Sequence, residues 1–331
     1  MQLPKYILGL TAYEEHLTEY RREFEEHNWH VILYDESSEE WKSRLATMIF
    51  HIIDSAGDVY EGNRTDLAII TALEDVELES VLRLPGNWKV REVAGDPTIY
   101  HEGSFDREGR SLSVVAAAAI EMGMPAATAV SMKLIHEFRP RFLAMVGIAA
   151  GVKGDFGDIL IADVAFDYGS GKITKGAADP QARFLPDPHP IPLDPFLKAK
   201  LSFFKTQTDV LERIRQSAVG RVLPTRLTVR MGPLASGAAV IENREVVQEV
   251  QSLWRKLVGV ELETYGVFLA ARLCREPRPS VMSIKAICDF ADPAKVDDFQ
   301  QYAAFTSAAF LYEFSLSLLA RASVPMLPNR A

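Results

Sequence analysis

At 331 residues, with 48% apolar and 24% charged side chains, the chain can bury a globular core and has room for two or three domains at most. Its formal net charge of -9, with no long run of Lys or Arg, excludes a surface that tracks a nucleic-acid backbone, although a local basic cluster could hold a small anion. Two cysteines, Cys274 and Cys288, exclude a disulfide framework and a Cys-rich zinc site, and suit a cytoplasmic protein.

The N-terminal run MQLPKYILGLTAYEE is short and has no basic region before it, so it does not read as a signal peptide. Glu121 and Glu313 interrupt the longer apolar stretches before they reach the roughly 20 residues of a membrane helix, so no membrane partner is expected. From Lys5 to about Ser55 the pattern predicts a strand (YILGL), a charged helix (EEHLTEYRREFEEHNW), a second strand (HVILY) and an amphipathic helix (SSEEWKSRLATMIFHII). The polar, glycine-bearing GDVYEGNRT reads as a linker. The predicted division is therefore a segment over 1–58, a linker over 59–65, a main domain over 66–322 and a tail over 323–331.

In the main domain, DLAIITAL predicts a strand, followed by a helix from about Val76; FLAMVGIAAG and DILIADVAF predict two more strands. The Pro-rich stretch from Gly169 to Pro195 reads as irregular, and helices follow to about Gly220. Beyond it come TRLTVRMGPLASG, a helix across Glu245 to Leu257, LVGVELE, a helix from about Thr264, the strand SVMSIKAICDFAD and a long last helix. Such alternation predicts an α/β fold with a parallel or mixed sheet covered on both faces. Ligands of such sheets bind beyond the carboxyl ends of strands, which directs attention to ITALEDVE, VGIAAGV, VGVELE and AICDFAD.

Glu261 and Glu263 lie two apart in an otherwise apolar segment, so on a strand they point to one side; as a helix-start pair near Thr264 they would instead favour the helix dipole. Asp289 ends a strand, where it is either a reactive acid or a cap, the second role being open also to Asp292, Asp297 and Asp298.

In order, from Asp66 to Arg321, the four segments resemble the purine nucleoside phosphorylase and methylthioadenosine/S-adenosylhomocysteine nucleosidase superfamily. The resemblance implies a three-layer nucleoside phosphorylase-like fold around a central mixed sheet. AICDFAD matches the family's Ser-Asp-x-Ala-Asp segment, with Cys288 for Ser, and gives Asp289 the role of general acid on purine N7. Such an acid is needed because a purine anion leaves poorly until N7 is protonated. VGVELE matches Glu-Met-Glu, with Leu262 for Met; Glu263, and with it Glu261, would grip the ribose diol and stabilise an oxocarbenium-like charge.

The family's water-activating Glu falls at Val76, so Glu77 takes that role if one residue is inserted, and otherwise Glu74 or a water-mediated arrangement does. VGIAAGV resembles the Gly-Ser-x-Gly turn that packs against ribose and base, involving Ile148, Ala149 and Ala150. Met145 and Ile148 stand where phosphorylases hold phosphate through Arg and Ser, which points to water as the nucleophile. ASGAAVIEN resembles the purine-sandwiching run, through Val240 and Ile241. Lys172, Lys175, Arg183 and His189 fall where the family closes over the 5′ substituent; Lys172 and Arg183 are the candidates for a 5′-phosphate.

The segment over 1–58 resembles the second half of a response-regulator receiver, with Thr11 at its switch position and Tyr34 where receivers carry Lys. A receiver joined to a nucleosidase resembles bacterial phage-defence effectors that destroy adenine nucleotides. The expectation is thus a hydrolase that releases adenine from an adenine nucleotide, ATP favoured, with no metal or organic cofactor, acting as a homo-oligomer (dimer or higher) under an upstream signalling partner. The alternatives are a methylthioadenosine/S-adenosylhomocysteine nucleosidase, a phosphorylase, and a non-catalytic nucleotide-sensing module.

Overall fold

The computed structural model describes residues 7–13, 15, 29–38, 40–48, 63–175, 182–218, 223, 225–291, 299–319 and 321–322, in two units, Met1–Gly62 and Asn63–Ala331. In the first unit β1 (Ile7–Thr11) pairs in parallel with β2 (Trp29–Leu33), and a helix occupies 40–48. Parallel strands need a crossover between them, and the helix predicted there lies almost wholly outside the described residues. The Tyr34 N–H donates to the Thr11 carbonyl at 2.7 Å, so the two receiver-like positions are neighbours at the strand ends.

The second unit opens with β3 (Thr65–Thr71), a π turn (Glu74–Leu78) that runs into α1 (Glu79–Leu82), β4 (Lys89–Arg91), β5 (Tyr100–Arg107), β6 (Arg110–Ala118), α2 (Met124–Phe138), β7 (Pro140–Gly151) and β8 (Ile159–Asp167). Next come β9 (Gly171–Lys175), β10 (Ala182–Pro186), β11 (Ile191–Pro192), α3 (Pro195–Phe204), α4 (Thr208–Ser217), β12 (Val229–Ser236), α5 (Arg244–Leu253) and β13 (Gly259–Glu261). The unit ends with α6 (Thr264–Leu273), β14 (Ser280–Asp289), α7 (Gln300–Phe314), a second π turn (Ser315–Leu319) and β15 (Arg321–Ala322).

The main sheet is mixed. β6, β3, β7 and β14 run parallel side by side; β14 then pairs antiparallel with β8, β8 parallel with β12, β12 parallel with β13, and β13 antiparallel with β7. The last five strands therefore close into a ring, and the flanking antiparallel strands β5 and β4 extend the open side. The layers follow from the period of two along each strand. Leu67 and Ile69 of β3, with Phe142, Ala144 and Val146 of β7, pack in one core with Phe310 and Phe314 of α7. Ala68 and Ile70, with Leu143 and Met145, pack on the other face with Val130 and Leu134 of α2 and Val267 of α6. Burying each Leu, Ile or Phe stabilises the sandwich by roughly 1.5–3 kcal/mol.

Three elements depart from expectation. The stretch after Gly169 holds an antiparallel hairpin, with Ile173 opposite Phe184, rather than irregular chain. The hairpin of β5 and β6 was not legible, because β5 (YHEGSFDR) lacks a clean apolar alternation. Glu313 does not shorten the last helix: Gln300–Leu319 is long and apolar enough to cross a bilayer by length and composition, but 78% of an 18-residue apolar stretch within it is buried inside the fold. Arg107 supplies the reason, pairing with the Glu313 carboxylate at 2.7 Å.

Candidate active site

The carboxyl ends of β3, β7, β13 and β14 and the segment after β12 surround one pocket. Glu77, Ile148, Ala149, Ala150, Val240, Ile241, Glu261, Leu262, Glu263 and Asp289 all line it. Among the described residues, no three His, Cys, Asp or Glu side chains converge as a metal site requires.

Glu77 reaches the pocket because of the π turn. Leu78 N–H donates to the Leu73 carbonyl five residues back at 3.0 Å, which accommodates one residue more than an α turn. Glu77 is thereby turned inward and is 2% exposed, while Glu74, Asp75 and Glu79 face solvent. Its Oε2 accepts the Ala72 and Leu73 N–H groups at 2.7 and 2.9 Å, and its Oε1 accepts the Ile148 N–H at 2.8 Å. A carboxylate offers about four acceptor positions, so one remains on Oε1. Gly147 makes the seat possible: a Cβ there would collide with the Glu77 carboxylate.

Glu263 is 3% exposed and stands at two helix starts. It is the N-cap residue of α6, and its Oε1 accepts the N–H of Gly123, the N-cap residue of α2, at 3.0 Å. Helix N-termini favour a negative charge. Its Oε2 lies 3.2 Å from the Lys285 ammonium, which is also 3.5 Å from Glu261. Burial pushes the Glu263 carboxyl above its usual range; Lys285 opposes that shift, and Glu261 and Glu77 add to it. Burial works against the Lys285 ammonium too, yet Glu263, Glu77 and Glu261 outweigh it and hold the group above its ordinary range, hence charged.

Glu261 behaves differently from the ribose-binding expectation. Its oxygens accept Ser236 Oγ at 2.5 Å, Glu263 N–H at 3.0 Å, Thr264 N–H at 2.9 Å and Thr264 Oγ at 2.9 Å. With its acceptor positions used inside the protein, it ties β12, β13 and the start of α6 together and is poorly placed to take ribose hydroxyls.

Asp289 and Cys288 both face the pocket although adjacent strand residues normally alternate. A bulge accounts for this: β14 pairs Ile287 with Ala149 and Asp289 with Ala150, leaving Cys288 extra. Asp289 Oδ1 accepts the Ala291 N–H at 2.8 Å, and the Cys288 thiol lies 3.3 Å from Oδ2. Asp292, Asp297 and Asp298 lie outside the described residues.

Lys172 is exposed on β9 and does not line the pocket, and the Lys175 and Arg183 side chains lie outside the described residues. His189 is exposed and does not line it either. Lys285 was missed, although a single Lys within the apolar run SVMSIKAIC is a signal, because a fully buried Lys is almost always paired. Tyr168 also lines the wall; burial, then Asp167 and Glu261, raise its phenol and keep it a neutral donor.

Residues 66–315 match the model of the phosphorylase superfamily. The chain is 32% identical over 323 residues to the uncharacterised protein y4jS of Sinorhizobium fredii, covering 93% of this chain and 77% of that one. It is 26% identical over 224 residues to the ATP nucleosidase Cap17 of Escherichia coli, covering 64% of this chain and 43% of the relative, so it spans less than half of that protein. Its fold matches the methylthioadenosine/S-adenosylhomocysteine nucleosidase of Neisseria meningitidis, with a TM-score of 0.57, 23% identity and coverage of 77% of this chain and all of the other. The futalosine hydrolase of Helicobacter pylori matches with a TM-score of 0.59, 19% identity and coverage of 77% and 99%.

Proposed function

We propose that this chain, which belongs to the phosphorylase superfamily, is a purine N-glycosidase that hydrolyses the N-glycosidic bond of an adenine nucleotide, ATP first, and releases adenine. The observation that carries the hydrolytic reading is the convergence of Glu77, Glu263 and Asp289 on one pocket, with the Lys285 ammonium buried behind the glutamates.

Each group has a step that its geometry suits. Asp289 gives its proton to purine N7 as the bond to the ribose carbon breaks and its electron pair moves onto the base. Glu263 accepts the ribose hydroxyls, and its charge, fixed by Gly123 N–H and Lys285, stabilises the positive sugar. The remaining acceptor position on Glu77 Oε1 orients the attacking water and takes its proton. Glu261 and Lys285 act through Glu263, the first through its backbone N–H and the second through its charge.

Water is the acceptor in this reading. Ile148 offers no charge to the pocket, Met145 is buried in the core, and a phosphate dianion beside Glu77 and Glu263 would be repelled. A rate indifferent to added inorganic phosphate, with a free sugar or its 5′-phosphorylated form as product, is the expected result. A ribose 1-phosphate product would assign a phosphorylase instead.

ATP is favoured by the Escherichia coli relative named as an ATP nucleosidase. A second reading rests on one observation: among the described residues no Lys, Arg or His lines the pocket, whereas Leu73, Met122, Ile148 and Val240 do. That wall suits a neutral, apolar 5′ group. Chromatography of the products from ATP, AMP, adenosine and methylthioadenosine distinguishes the two readings, and binding without adenine release would sink both.

A further inference from the structure

The turn between β7 and β8 reaches both sides of the Asp289 connection. Gly157 N–H donates to the Ile287 carbonyl at 2.8 Å, and Ile287 N–H donates to the Asp158 carbonyl at 3.0 Å, two residues before Asp289. On the other side Thr306 Oγ donates to the Gly157 carbonyl at 3.0 Å, which ties the turn to α7. Gly157 has φ of 84°, and a Cβ there would strike the Tyr302 ring, so only glycine lets the turn lie this close to α7.

Phe156 projects from this turn into the gap between β14 and α7. Its ring stacks on Phe299 with centroids 4.0 Å apart and planes 11° apart, and meets Phe290 edge-on at 5.2 Å. Phe290 directly follows Asp289, and Phe299 directly precedes Gln300, which lines the pocket. One side chain thus grips both ends of the connection from strand to helix. Phe156 and Phe299 belong to none of the buried core clusters and are half-buried, so core packing does not explain the stack. The backbone between is strained at Ala291, with φ of 53°, whose N–H is held by Asp289 Oδ1 at 2.8 Å. A strained turn of this kind persists only where its surroundings hold it.

We propose that Phe156 is a positioning residue for Asp289: its ring pins Phe290 and Phe299 so that the turn at Ala291 holds the Asp289 carboxyl at the orientation that proton donation requires. This rests on the reading of Asp289 as the proton donor.

The test is kcat and KM of the full chain for adenine release from the substrate that the chromatography identifies, in the parent, Phe156→Ala, Asp289→Asn and the double variant. Misplacement of a reacting group by about an ångström costs on the order of 10²-fold, so Phe156→Ala should lose up to that factor in kcat with KM little changed. In the Asp289→Asn background the same change should cost nothing further, because the group it serves is already gone. Phe156→Tyr, which keeps the ring, should restore kcat. Phe156→Leu keeps apolar volume without ring faces and carries the same comparison where the alanine variant does not fold. An equal loss in both backgrounds, or full kcat in Phe156→Ala, overturns the assignment. Parent-like kcat in Asp289→Asn overturns the reading of Asp289 itself, and this assignment with it.

Discussion

The Lys285 ammonium stands 3.2 Å from Glu263 Oε2 in an ion pair whose two side chains are almost completely buried. Lys285 comes from the middle of β14 and Glu263 from the start of α6, so the pair joins the strand that ends in Asp289 to the helix that begins at Glu263. With Glu261 and Glu77 close by, one cation compensates three buried acids.

Removal of that cation has two separable effects. Breaking a buried pair from one side costs roughly 3–5 kcal/mol, so Lys285→Met should lower the unfolding midpoint markedly, and Lys285→Arg should recover most of it. The folded-state ammonium titrates above its ordinary 10.5, so its stabilisation is complete below that pH and is lost only as pH rises through the raised value. Denaturation of parent and methionine variant should therefore show a difference that persists from pH 6 to pH 9. A difference that vanished on approach to pH 9 would contradict the pairing.

The acid side of the activity profile should belong to Glu263. Its folded-state titration lies above the ordinary 4.5 because burial opposes ionisation. As pH falls through that raised value the group is protonated and loses the negative charge that the proposed mechanism sets against the sugar, so kcat/KM should fall with a midpoint above 4.5. Lys285→Arg should leave the midpoint in place, and Lys285→Met should move it to higher pH, since the charge that opposes the shift is gone. An acid limb unmoved in the methionine variant would assign it to another group.

Gly147→Ala tests the seat of Glu77. The added methyl would overlap the Glu77 carboxylate, at a backbone φ of 153° where side chains are rare. Overpacking of this kind costs about 1–3 kcal/mol, and displacement of the water-orienting oxygen should lower kcat by on the order of 10²-fold. Mass and melting measurements establish that the variant folds. A folded Gly147→Ala enzyme with parent kcat would show that Glu77 need not sit where Ala72, Leu73 and Ile148 hold it.

The 5′ end of the substrate is tested by Lys172→Ala combined with Arg183→Ala. Each lost charge-assisted hydrogen bond to a phosphate is worth about 1.5–3 kcal/mol, so kcat/KM on ATP should fall tenfold or more while methylthioadenosine hydrolysis is unchanged. If ATP hydrolysis is unaffected, the hairpin of β9 and β10 has no part in binding, and the apolar wall at Met122 and Val240 sets the preference.

Much of this architecture follows from local sequence. The period of two in DLAIIT and FLAMVG, and the polar residues at the ends of the apolar strands, determine a sheet buried on both faces with its chemistry beyond the strand ends, because alternation and burial are properties of short segments. Tertiary structure decided what depends on turn type, register and neighbours. Glu77 rather than Glu74 faces the pocket because one turn is π-helical. Cys288 joins Asp289 there because β14 carries a bulge against β7. Glu261 and Glu263 look equivalent in sequence, but Ser236 and Thr264 occupy the oxygens of the first, while Gly123 and Lys285 charge and orient the second. Those partners lie 25, 3, 140 and 22 residues away along the chain, and only the tertiary fold brings the distant ones within hydrogen-bond reach.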